Sequence, residues 1–428
     1  MQSRSRTKLG VTLAVIGALS LVAACSSSGN SGSSPNTTGS SSTSGGTSSG
    51  TAAAGTPIVV GTVGSFTGPL ASGFGGMEDT LKAWVAWTND NGGINGHPVD
   101  LTIKDDGGNP TTATAAVKDL IQNKHVVAIV SDLSGADSAW APIAEKAGVP
   151  VVGGNAIDLP FMTNPDFFAS GTNTFAGVYA VESLGKTFGT KQAVLYCTET
   201  PACAASIPVY KAFASTLGMT IPYTQSISAS QADYTAVCQA IKQSGAQSYV
   251  MVDSPAIVGR VSDACLQQGV TAKVVEASAA VGVNLLSNKG TEGLLSAAVG
   301  FPFIDNSVPA TQQFHTVLAK YGPADLEKKF GPGLNIPWVA MELFAAAVKA
   351  GGSGPVTADS IKNGLYTMKG ETLGGIAPPL TFVKGQPNLQ NCYFVLGISN
   401  GAFTAPNGLK TSCAPDALVE GAVKALPK

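Results

Sequence analysis

The chain has 428 residues, of which 44% are hydrophobic and 12% are charged, and its formal net charge is -2. A chain of this length can bury a large core, and its charge balance provides no basic surface of the kind that binds nucleic acid. The composition therefore favours a globular protein with more than one domain and excludes a nucleic-acid-binding role.

Residues 1–24 have the pattern of an export signal. Arg4, Arg6 and Lys8 precede an apolar run from Val11 to Ala24 that is too short to predict a membrane span. The run ends in LVAAC, and small residues before Cys25 resemble the lipobox of bacterial lipoproteins, in which this cysteine becomes the lipidated first residue. The alternative is an ordinary signal peptide followed by a chance cysteine. We expect lipid attachment and a location on the extracytoplasmic face of the cell membrane.

Residues 25–56 predict a tether. From Ser26 to Thr56 nearly every residue is Ser, Gly, Thr, Ala or Asn, with one proline and no charged side chain. Such a segment cannot bury enough apolar surface to offset the entropy lost on ordering, so we expect a flexible link to the membrane. No later segment is long and apolar enough to predict a membrane span.

From Pro57 onward, apolar runs of strand length alternate with helical patterns, which is typical of parallel sheets covered by helices. The first series of predicted strands is PIVVGTVG, VDLTIKDD, VVAIVSD, VPVVGG and FFASG. Apolar residues at helical spacing predict a helix from Met77 to Asp90, and NGGING ends it.

A second series of strands begins at Gln192 and predicts a second domain. Its strands are QAVLYC, SYVMVD, AKVVEAS and GLLSAAVGF. Later patterns predict helices over 311–321, 337–350 and 358–366, followed by the strands LTFV and CYFVLGIS. The pattern alone leaves open which domain these late elements complete.

The cysteines agree with export. Apart from Cys25 there are six, an even number in an oxidising compartment, and they cluster in sequence as three pairs. The alternative is a metal site, but no C-x-x-C pair occurs and the three histidines are distant in sequence, so we predict no metal. The predicted disulfides are Cys197–Cys203, Cys238–Cys265 and Cys392–Cys413.

Three loops rich in glycine and hydroxyl residues follow strands of the first series. They are GSFTGPL (64–70), SDLSGAD (131–137) and GGNAID (153–158). Ligands of open parallel sheets bind beyond the carboxyl ends of the strands, so these loops predict a cradle for a small polar group. Ser134 precedes a predicted helix, where its hydroxyl and the free N–H groups favour an anion. The alternative role for Ser134 is a helix N-cap, and the two roles are compatible.

Other sites are disfavoured. AVESLGKT (180–187) contains Gly-Lys-Thr, but Ala180 replaces the first glycine of a phosphate-binding loop and the stretch has a helical pattern. No G-x-S-x-G or H-E-x-x-H motif occurs. We therefore predict a protein that is not an enzyme and needs no cofactor, with an exported hydrolase as a remote alternative.

The order of these motifs resembles the bacterial leucine/isoleucine/valine-binding protein family, the type I periplasmic binding proteins of ABC importers. The resemblance rests on IVVGTVGSFTGPLASGFGGM, NDNGGINGHPVDLTIKDDGGNPTTATAAVKDLI, AIVSDLSGADSAWAPIAEKAGVPVV and, more weakly, NLLSNKGTEGLLS. It is dense over residues 58–152 and covers about 57–398.

The resemblance implies an α/β fold with two Rossmann-like lobes, whose parallel sheets are joined by a three-segment hinge. The chain crosses between lobes near residues 170–172, 299–302 and 377–379. The N-terminal lobe then comprises residues 57–171 and 302–378, and the C-terminal lobe comprises residues 172–301 and 379–428.

The family's ligand-binding positions are matched unevenly. In the first lobe, the serine that grips the ligand carboxylate corresponds to Ser134, and the loop that supplies backbone groups corresponds to Asn155, Ala156 and Ile157. The ring that lines the ligand side chain corresponds to Phe74, allowing one inserted residue. The first loop, which carries no charge to activate Ser65 or Thr67, thus becomes one wall of a pocket.

The second lobe departs from the family pattern. The expected tyrosine falls at Ser254, and the expected acidic partner of an amino-acid ammonium falls at Ser278. An unpaired buried ammonium is costly, so amino-acid binding requires Glu199, Asp253 or Glu276 to take over that role. Four other aromatic residues are candidates for further walls of the pocket: Trp140, Phe161, Phe301 and Trp338.

The resemblance implies an extracytoplasmic, monomeric solute-binding lipoprotein that closes its lobes on a small carboxylate and delivers it to ABC permease and ATPase subunits. A branched-chain amino acid and a hydrophobic organic acid are both open as ligands. The alternative is a sensing module for a membrane signalling partner.

Overall fold

The computed structural model describes residues 53, 55–68, 71–199 and 201–425. The predicted export signal, Cys25 and most of the predicted tether lie outside the described residues. The strands are β1 (Ile58–Gly64), β2 (Val99–Asp105), β3 (Ala128–Asp132), β4 (Val151–Gly154), β5 (Phe167–Phe168), β6 (Lys191–Cys197), β7 (Thr220–Ile227), β8 (Ser248–Val252), β9 (Lys273–Ala277), β10 (Leu295–Ala298), β11 (Lys369–Glu371), β12 (Leu380–Thr381), β13 (Cys392–Ser399), β14 (Ala402–Thr404) and β15 (Ser412–Cys413).

Fourteen α-helices alternate with these strands over the same ranges. They are α1 (Ala71–Phe74), α2 (Met77–Asp90), α3 (Pro110–Gln122), α4 (Asp137–Ala147), α5 (Pro160–Thr163), α6 (Thr174–Lys186), α7 (Pro201–Thr216), α8 (Thr235–Ser244), α9 (Pro255–Gln267), α10 (Pro309–Tyr321), α11 (Leu326–Phe330), α12 (Asn335–Ala350), α13 (Ala358–Thr367) and α14 (Asp416–Lys424). No helix in the described ranges is long and apolar enough to cross a membrane.

The first sheet has five parallel strands in the order β2-β1-β3-β4-β5. Every residue of β3 and β4 is buried, which is typical of a parallel sheet covered on both faces. Helix α12 packs on β3 and β4, and α2 and α13 pack on α12. The late helices therefore belong to the first lobe, an assignment that the helical pattern alone left open.

The second sheet has the order β14-β13-β10-β9-β8-β6-β7, with β15 paired to β13. Strands β6 to β10 are parallel, whereas β13 runs antiparallel to β10. Helix α6 packs against β8, β9 and β10. The α/β fold with two lobes of largely parallel strands is thus confirmed.

The three crossings between the lobes lie side by side. A Cβ on Gly171 would lie 2.7 Å from the carbonyl oxygen of Val299, so the first and second crossings touch. The hydroxyl of Thr172 donates to the carbonyl oxygen of Cys392 at 2.7 Å, which links the first and third. The chain therefore passes between the lobes through one narrow, hydrogen-bonded region.

The third crossing differs from the predicted position at residues 377–379. Strand β12 pairs with β11, and Phe382 packs edge-to-face on Phe168 of the first sheet. The chain therefore stays with the first lobe through Phe382 and enters the second lobe at Cys392. The predicted boundary after residue 378 is too early because the short strand LTFV returns to the first lobe.

The cysteines form Cys197–Cys203, Cys238–Cys265 and Cys392–Cys413, the pairs favoured by their order in the sequence. All three bonds lie within the second lobe. The first links the end of β6 to α7, the second joins α8 to α9, and the third joins β13 to β15.

Candidate functional site

A cavity of about 460 Å³ lies between the two lobes, at the carboxyl ends of strands from both sheets. Its size is in the range of small-molecule sites. The residues that line it are Gly73, Phe74, Gly75, Met77, Asn155, Ile157, Thr172, Asn173, Thr174, Gly177, Val178, Ser206, Tyr210, Val252, Pro255, Ala256, Ala277, Ser278, Ala279, Val281, Gly282, Val283, Asn284, Ala297, Val299, Lys329, Gly333, Ile336 and Tyr393.

The first lobe supplies one wall from two loops. The segment from Gly73 to Met77, where α1 gives way to α2, places the ring of Phe74 in the lining. The loop after β4 adds Asn155 and Ile157. The ring of Phe74 and the loop GGNAID (153–158), both expected at the site from the sequence, therefore line the same cavity.

The second lobe supplies a wall of small and apolar side chains. Gly177 and Val178 come from the first turns of α6, and Val252, Ala277 and Ala297 come from the ends of β8, β9 and β10. Because these groups offer no strong hydrogen-bonding side chain, this wall suits the apolar part of a ligand.

None of the described residues that line the cavity is an aspartate or glutamate, and Lys329 is the one lining residue with a formal charge. The three carboxylates considered as ammonium partners bond elsewhere. Glu199 accepts from the backbone N–H of Ala229 at 2.7 Å, Asp253 accepts from that of Ser254, and Glu276 accepts from that of Met251 at 3.1 Å. Burial raises the pKa of Glu276 well above its ordinary value.

Two uncharged polar side chains in the lining have no side-chain hydrogen bond to another described residue. They are the amide of Asn155 and the hydroxyl of Tyr210. By contrast, Asn173 donates to the carbonyl of Gln390 and to the amide oxygen of Asn391, and its own oxygen caps α6. The uncharged groups with spare hydrogen-bonding capacity are thus one amide and one phenol, a set that suits neutral or anionic polar atoms.

Ser134, which we expect from the sequence to grip a ligand carboxylate, is not among the described residues that line the cavity. Its side chain is fully buried, and its hydroxyl donates to Oδ2 of Asp106 at 2.5 Å. The hydroxyl oxygen of Ser134 also accepts a hydrogen bond from the backbone N–H of Ala136 at 3.1 Å, near the start of α4. The N-cap residue of α4 is Ala136, so Ser134 lies two residues before the cap, and its hydroxyl proton is donated to Asp106.

Two consecutive aspartates after β2 hold the glycine-rich loop in place. Asp106 accepts from the hydroxyl of Ser65 at 2.7 Å, so one carboxylate joins Ser65 to Ser134. Asp105 accepts from the backbone N–H groups of Phe66 and Thr67 and from the hydroxyl of Thr67. The hydroxyls of Ser65 and Thr67 thus donate to these two aspartates and do not form a phosphate-binding site.

Further acidic groups lie beneath this loop. Asp132 and Asp137 are buried, and burial raises the pKa of both, while the charge of Asp132 raises that of Asp137 further. Both groups thus favour the neutral, protonated form, which avoids two buried charges. No group of histidine, cysteine or acidic residues in the described ranges is arranged to hold a metal ion.

The remaining predicted site residues divide between lining and support. Phe74, Asn155, Ile157 and Ser278 line the cavity, whereas Ala156 is buried behind it. Ser254 also lies outside the lining and precedes Pro255, the first residue of α9.

Four predicted aromatic walls are core residues. Trp140, Phe161, Phe301 and Trp338 are fully buried and pack on other rings away from the cavity. Of the five candidate rings, only Phe74 is among the residues that line the described cavity.

Sequence reasoning missed Tyr210 and Lys329. Tyr210 lies in an apolar stretch of α7 and carries no motif, so its position became apparent only from the packing of α7. Lys329 precedes the letters FGPG, and this charge beside a glycine-proline turn was the available signal.

A cavity at the carboxyl ends of two parallel sheets, beside three crossings of the chain, defines a two-lobed ligand-binding protein. The sequence matches the model of a family described as periplasmic binding protein over residues 57–402, and the chain belongs to that family. No curated protein sequence matches the chain. The resemblance noted from the sequence motifs is thereby confirmed for family and fold.

Solved structures show the same fold at low sequence identity. A branched-chain amino acid ABC transporter protein from Thermus thermophilus with bound valine is 17% identical, with a TM-score of 0.74, and the match covers 86% of this chain and 98% of that one. A fatty acid ABC transporter substrate-binding protein from Thermomonospora curvata is 16% identical, with a TM-score of 0.69 and coverage of 85% and 94%.

A solute-binding protein of an ABC transporter from Rhodopseudomonas palustris, in complex with p-hydroxybenzoic acid, is 20% identical. Its TM-score is 0.64, with coverage of 84% of this chain and 98% of that one. These neighbours share one scaffold but carry chemically different ligands in their descriptions, so the cavity itself must decide which solute this chain holds.

Proposed function

We propose that the protein is the solute-binding component of an ABC importer and that its solute is a hydrophobic organic acid. The observation that carries this proposal is the cavity between the lobes, whose described lining is largely apolar and contains one cation and no carboxylate. The lobes close on the solute, because contacts with both walls favour the closed form, and the closed protein delivers the solute to a membrane permease.

The absence of an acidic group from the described lining disfavours an α-amino acid. The ammonium of a bound amino acid would lose its hydration without gaining a carboxylate partner, which costs free energy. An acid without an ammonium avoids this cost and matches the charge of Lys329. The valine described for one structural neighbour is therefore a poorer guide than the fatty acid and p-hydroxybenzoic acid named for the other two.

The anchor in this proposal is a lipid on Cys25. Small residues precede this cysteine and an uncharged Ser/Gly/Thr segment follows it, so attachment there would keep the globular part near its permease. Cys25→Ser should abolish labelling by a clickable fatty acid and shift the protein from the membrane fraction to the soluble fraction. Retained labelling of the variant would contradict the anchor.

The ligand class is tested by isothermal titration calorimetry with octanoate, 4-hydroxybenzoate, valine and leucine. We expect at least one of the two acids to bind in the micromolar range and the amino acids to bind at least about tenfold more weakly, a difference of roughly 1.4 kcal/mol. Tighter binding of valine or leucine than of both acids would contradict the proposal.

A further inference from the structure

A segment that we call the strap, Leu326–Leu334, joins α10 to α12 and lies between the two lobes. It consists of α11 and the tight turn from Gly331 to Leu334. A Cβ built on Gly331 would lie 2.8 Å from Cγ1 of Val283, on the second-lobe wall, and one built on Gly333 would lie 2.8 Å from Cε of Met77, on the first-lobe wall. The strap therefore contacts both walls of the cavity.

Gly331 has a backbone φ of 67°, a conformation that glycine adopts without strain. Any residue with a Cβ at this position would clash with Val283 and would also strain the backbone, because its φ is positive. The close approach of the strap to the second lobe thus depends on glycine.

The strap is fixed to the first lobe at its other end. Nδ1 of His315, in α10, lies 2.8 Å from Oε1 of Glu327, and Nε2 lies 3.1 Å from the carbonyl oxygen of Asp305. Both partners can accept a hydrogen bond, and this arrangement favours the protonated imidazole. The hydrogen bond to Glu327 raises the pKa of His315, and Leu326 is buried beside it.

Two adjacent lysines in the strap have different surroundings. Lys328 pairs with Asp325 at 3.0 Å and does not line the cavity. Lys329 lines the cavity and forms no ion pair within the described part of the chain. The Lys329 side chain is exposed, and its charge acts on Asp325 at a distance beyond an ion pair, so its ammonium remains available to an anionic ligand.

We propose that Lys329 binds the carboxylate of the solute and sets the preference for acids over neutral analogues. The strap places this lysine at the cavity between the two lobes. This inference rests on the proposed function. In this arrangement the apolar part of the ligand lies against Gly177, Val252 and Ala277, and the carboxylate lies towards the strap. Placing the charge where both lobes meet makes the ion pair available when the ligand is enclosed.

The test compares acids with their uncharged amides. Octanoate and octanamide, and 4-hydroxybenzoate and 4-hydroxybenzamide, are titrated into the full mature chain and into Lys329→Gln and Lys328→Gln. We expect the wild type and Lys328→Gln to bind one acid roughly five- to tenfold more tightly than its amide. We expect Lys329→Gln to bind that acid and its amide about equally, with the affinity for the amide unchanged.

Salt provides a second readout. Added sodium chloride should weaken binding of the acid to the wild type and to Lys328→Gln, and should have little effect on Lys329→Gln, because an exposed ion pair is screened. Thermal unfolding of the three proteins checks that the substitutions leave the fold intact.

The outcomes separate this inference from the function on which it rests. If an acid binds but Lys329→Gln keeps the acid-to-amide ratio of the wild type, the role of Lys329 is wrong and the proposed function stands. If neither acid binds the wild type, the proposed ligand class fails and the role of Lys329 fails with it. Equal losses in Lys329→Gln and Lys328→Gln would indicate a general charge effect and would also overturn the role of Lys329.

Discussion

The two lobes have similar parallel sheets but use acidic side chains differently. In the first lobe, Asp105 and Asp106 follow a strand and bind loop hydroxyls and N–H groups. In the second lobe, Glu182 projects from α6 into the core and is fully buried. The amide nitrogen of Gln192, in the orientation that satisfies both groups, lies 2.7 Å from both of its carboxyl oxygens.

In both lobes these acidic side chains stabilise the protein itself and do not contact the cavity where a ligand would bind. Asp105 and Asp106 of the first lobe accept hydrogen bonds from loop residues, and Glu182 of the second lobe is buried in the core. None of the three lines the cavity. These acidic groups thus bond within the protein, and the described lining of the cavity contains none of them. Four substitutions in three groups test this comparison, and the groups follow in order of their largest expected effect.

The largest effect is expected from Glu182→Gln. Burial raises the pKa of Glu182 to about 8 from an ordinary value of 4.5. Its contribution to stability is therefore fully present below pH 4.5 and is lost as the pH rises through 8, because the folded state holds a proton that the unfolded state releases. At pH 9 the variant should be more stable than the wild type by on the order of 4 kcal/mol.

Urea unfolding from pH 6 to pH 9 measures this effect, with the exposed Glu145→Gln as the matched control. The stability of the wild type and of the control should fall over this range more steeply than that of Glu182→Gln. Parallel pH profiles for all three proteins would show that Glu182 does not hold a proton in the folded state.

The next effect concerns the first-lobe loops. Asp106→Ala leaves the buried hydroxyls of Ser65 and Ser134 and the N–H of Gly108 without their acceptor, and should lower the free energy of unfolding by about 3 kcal/mol. Ser134→Ala removes one hydroxyl and should cost about 1 kcal/mol. Urea unfolding gives both values.

Calorimetry on the same variants distinguishes fixation from ligand contact. Ser134→Ala should bind the acid with the affinity of the wild type, since its hydroxyl is bonded to Asp106 and lies outside the cavity lining. A tenfold loss of affinity in a folded Ser134→Ala protein would return this serine to the binding site.

The third group concerns the apolar wall. Gly177 lies in α6, lines the cavity and has open space where a Cβ would be placed. Gly177→Leu should fill part of the cavity and weaken binding of octanoate or 4-hydroxybenzoate at least about tenfold, or roughly 1.4 kcal/mol. Replacing a helical glycine should also stabilise the fold by about 0.5 to 1 kcal/mol.

Gly421→Leu is the matched control, because Gly421 also lies in a helix with open space and does not line the cavity. Both variants should gain stability in thermal unfolding, and only Gly177→Leu should lose affinity. Wild-type affinity in a folded Gly177→Leu protein would mean that the ligand binds elsewhere.

Regular elements with strong apolar periodicity were predictable from the sequence. Helix α2 and strand β13 occupy the predicted residues, because one buries a single helical face and the other is an almost fully buried run. Strand β7 was missed since it lies at the edge of its sheet and several of its residues are exposed, so its sequence TIPYTQSI has no clear apolar face.

The candidate site was less predictable, because its geometry depends on distant partners. A serine at the start of a helix has the same local pattern whether it binds a ligand or a neighbouring loop. Its acceptor, Asp106, lies 28 residues earlier. The small residues of the cavity wall, such as Gly177 and Ala277, have no sequence signal, since their role is to leave space that other elements enclose.

The placement of the disulfides also bears on how the protein matures after export. Each bond closes a short segment of the second lobe, with sequence separations of 6, 27 and 21 residues, and none joins one lobe to the other. Oxidation can therefore be completed while one lobe folds, without waiting for the other to dock. Once formed, these bonds restrict the unfolded second lobe, and none of them places a covalent limit on how far the two lobes move apart.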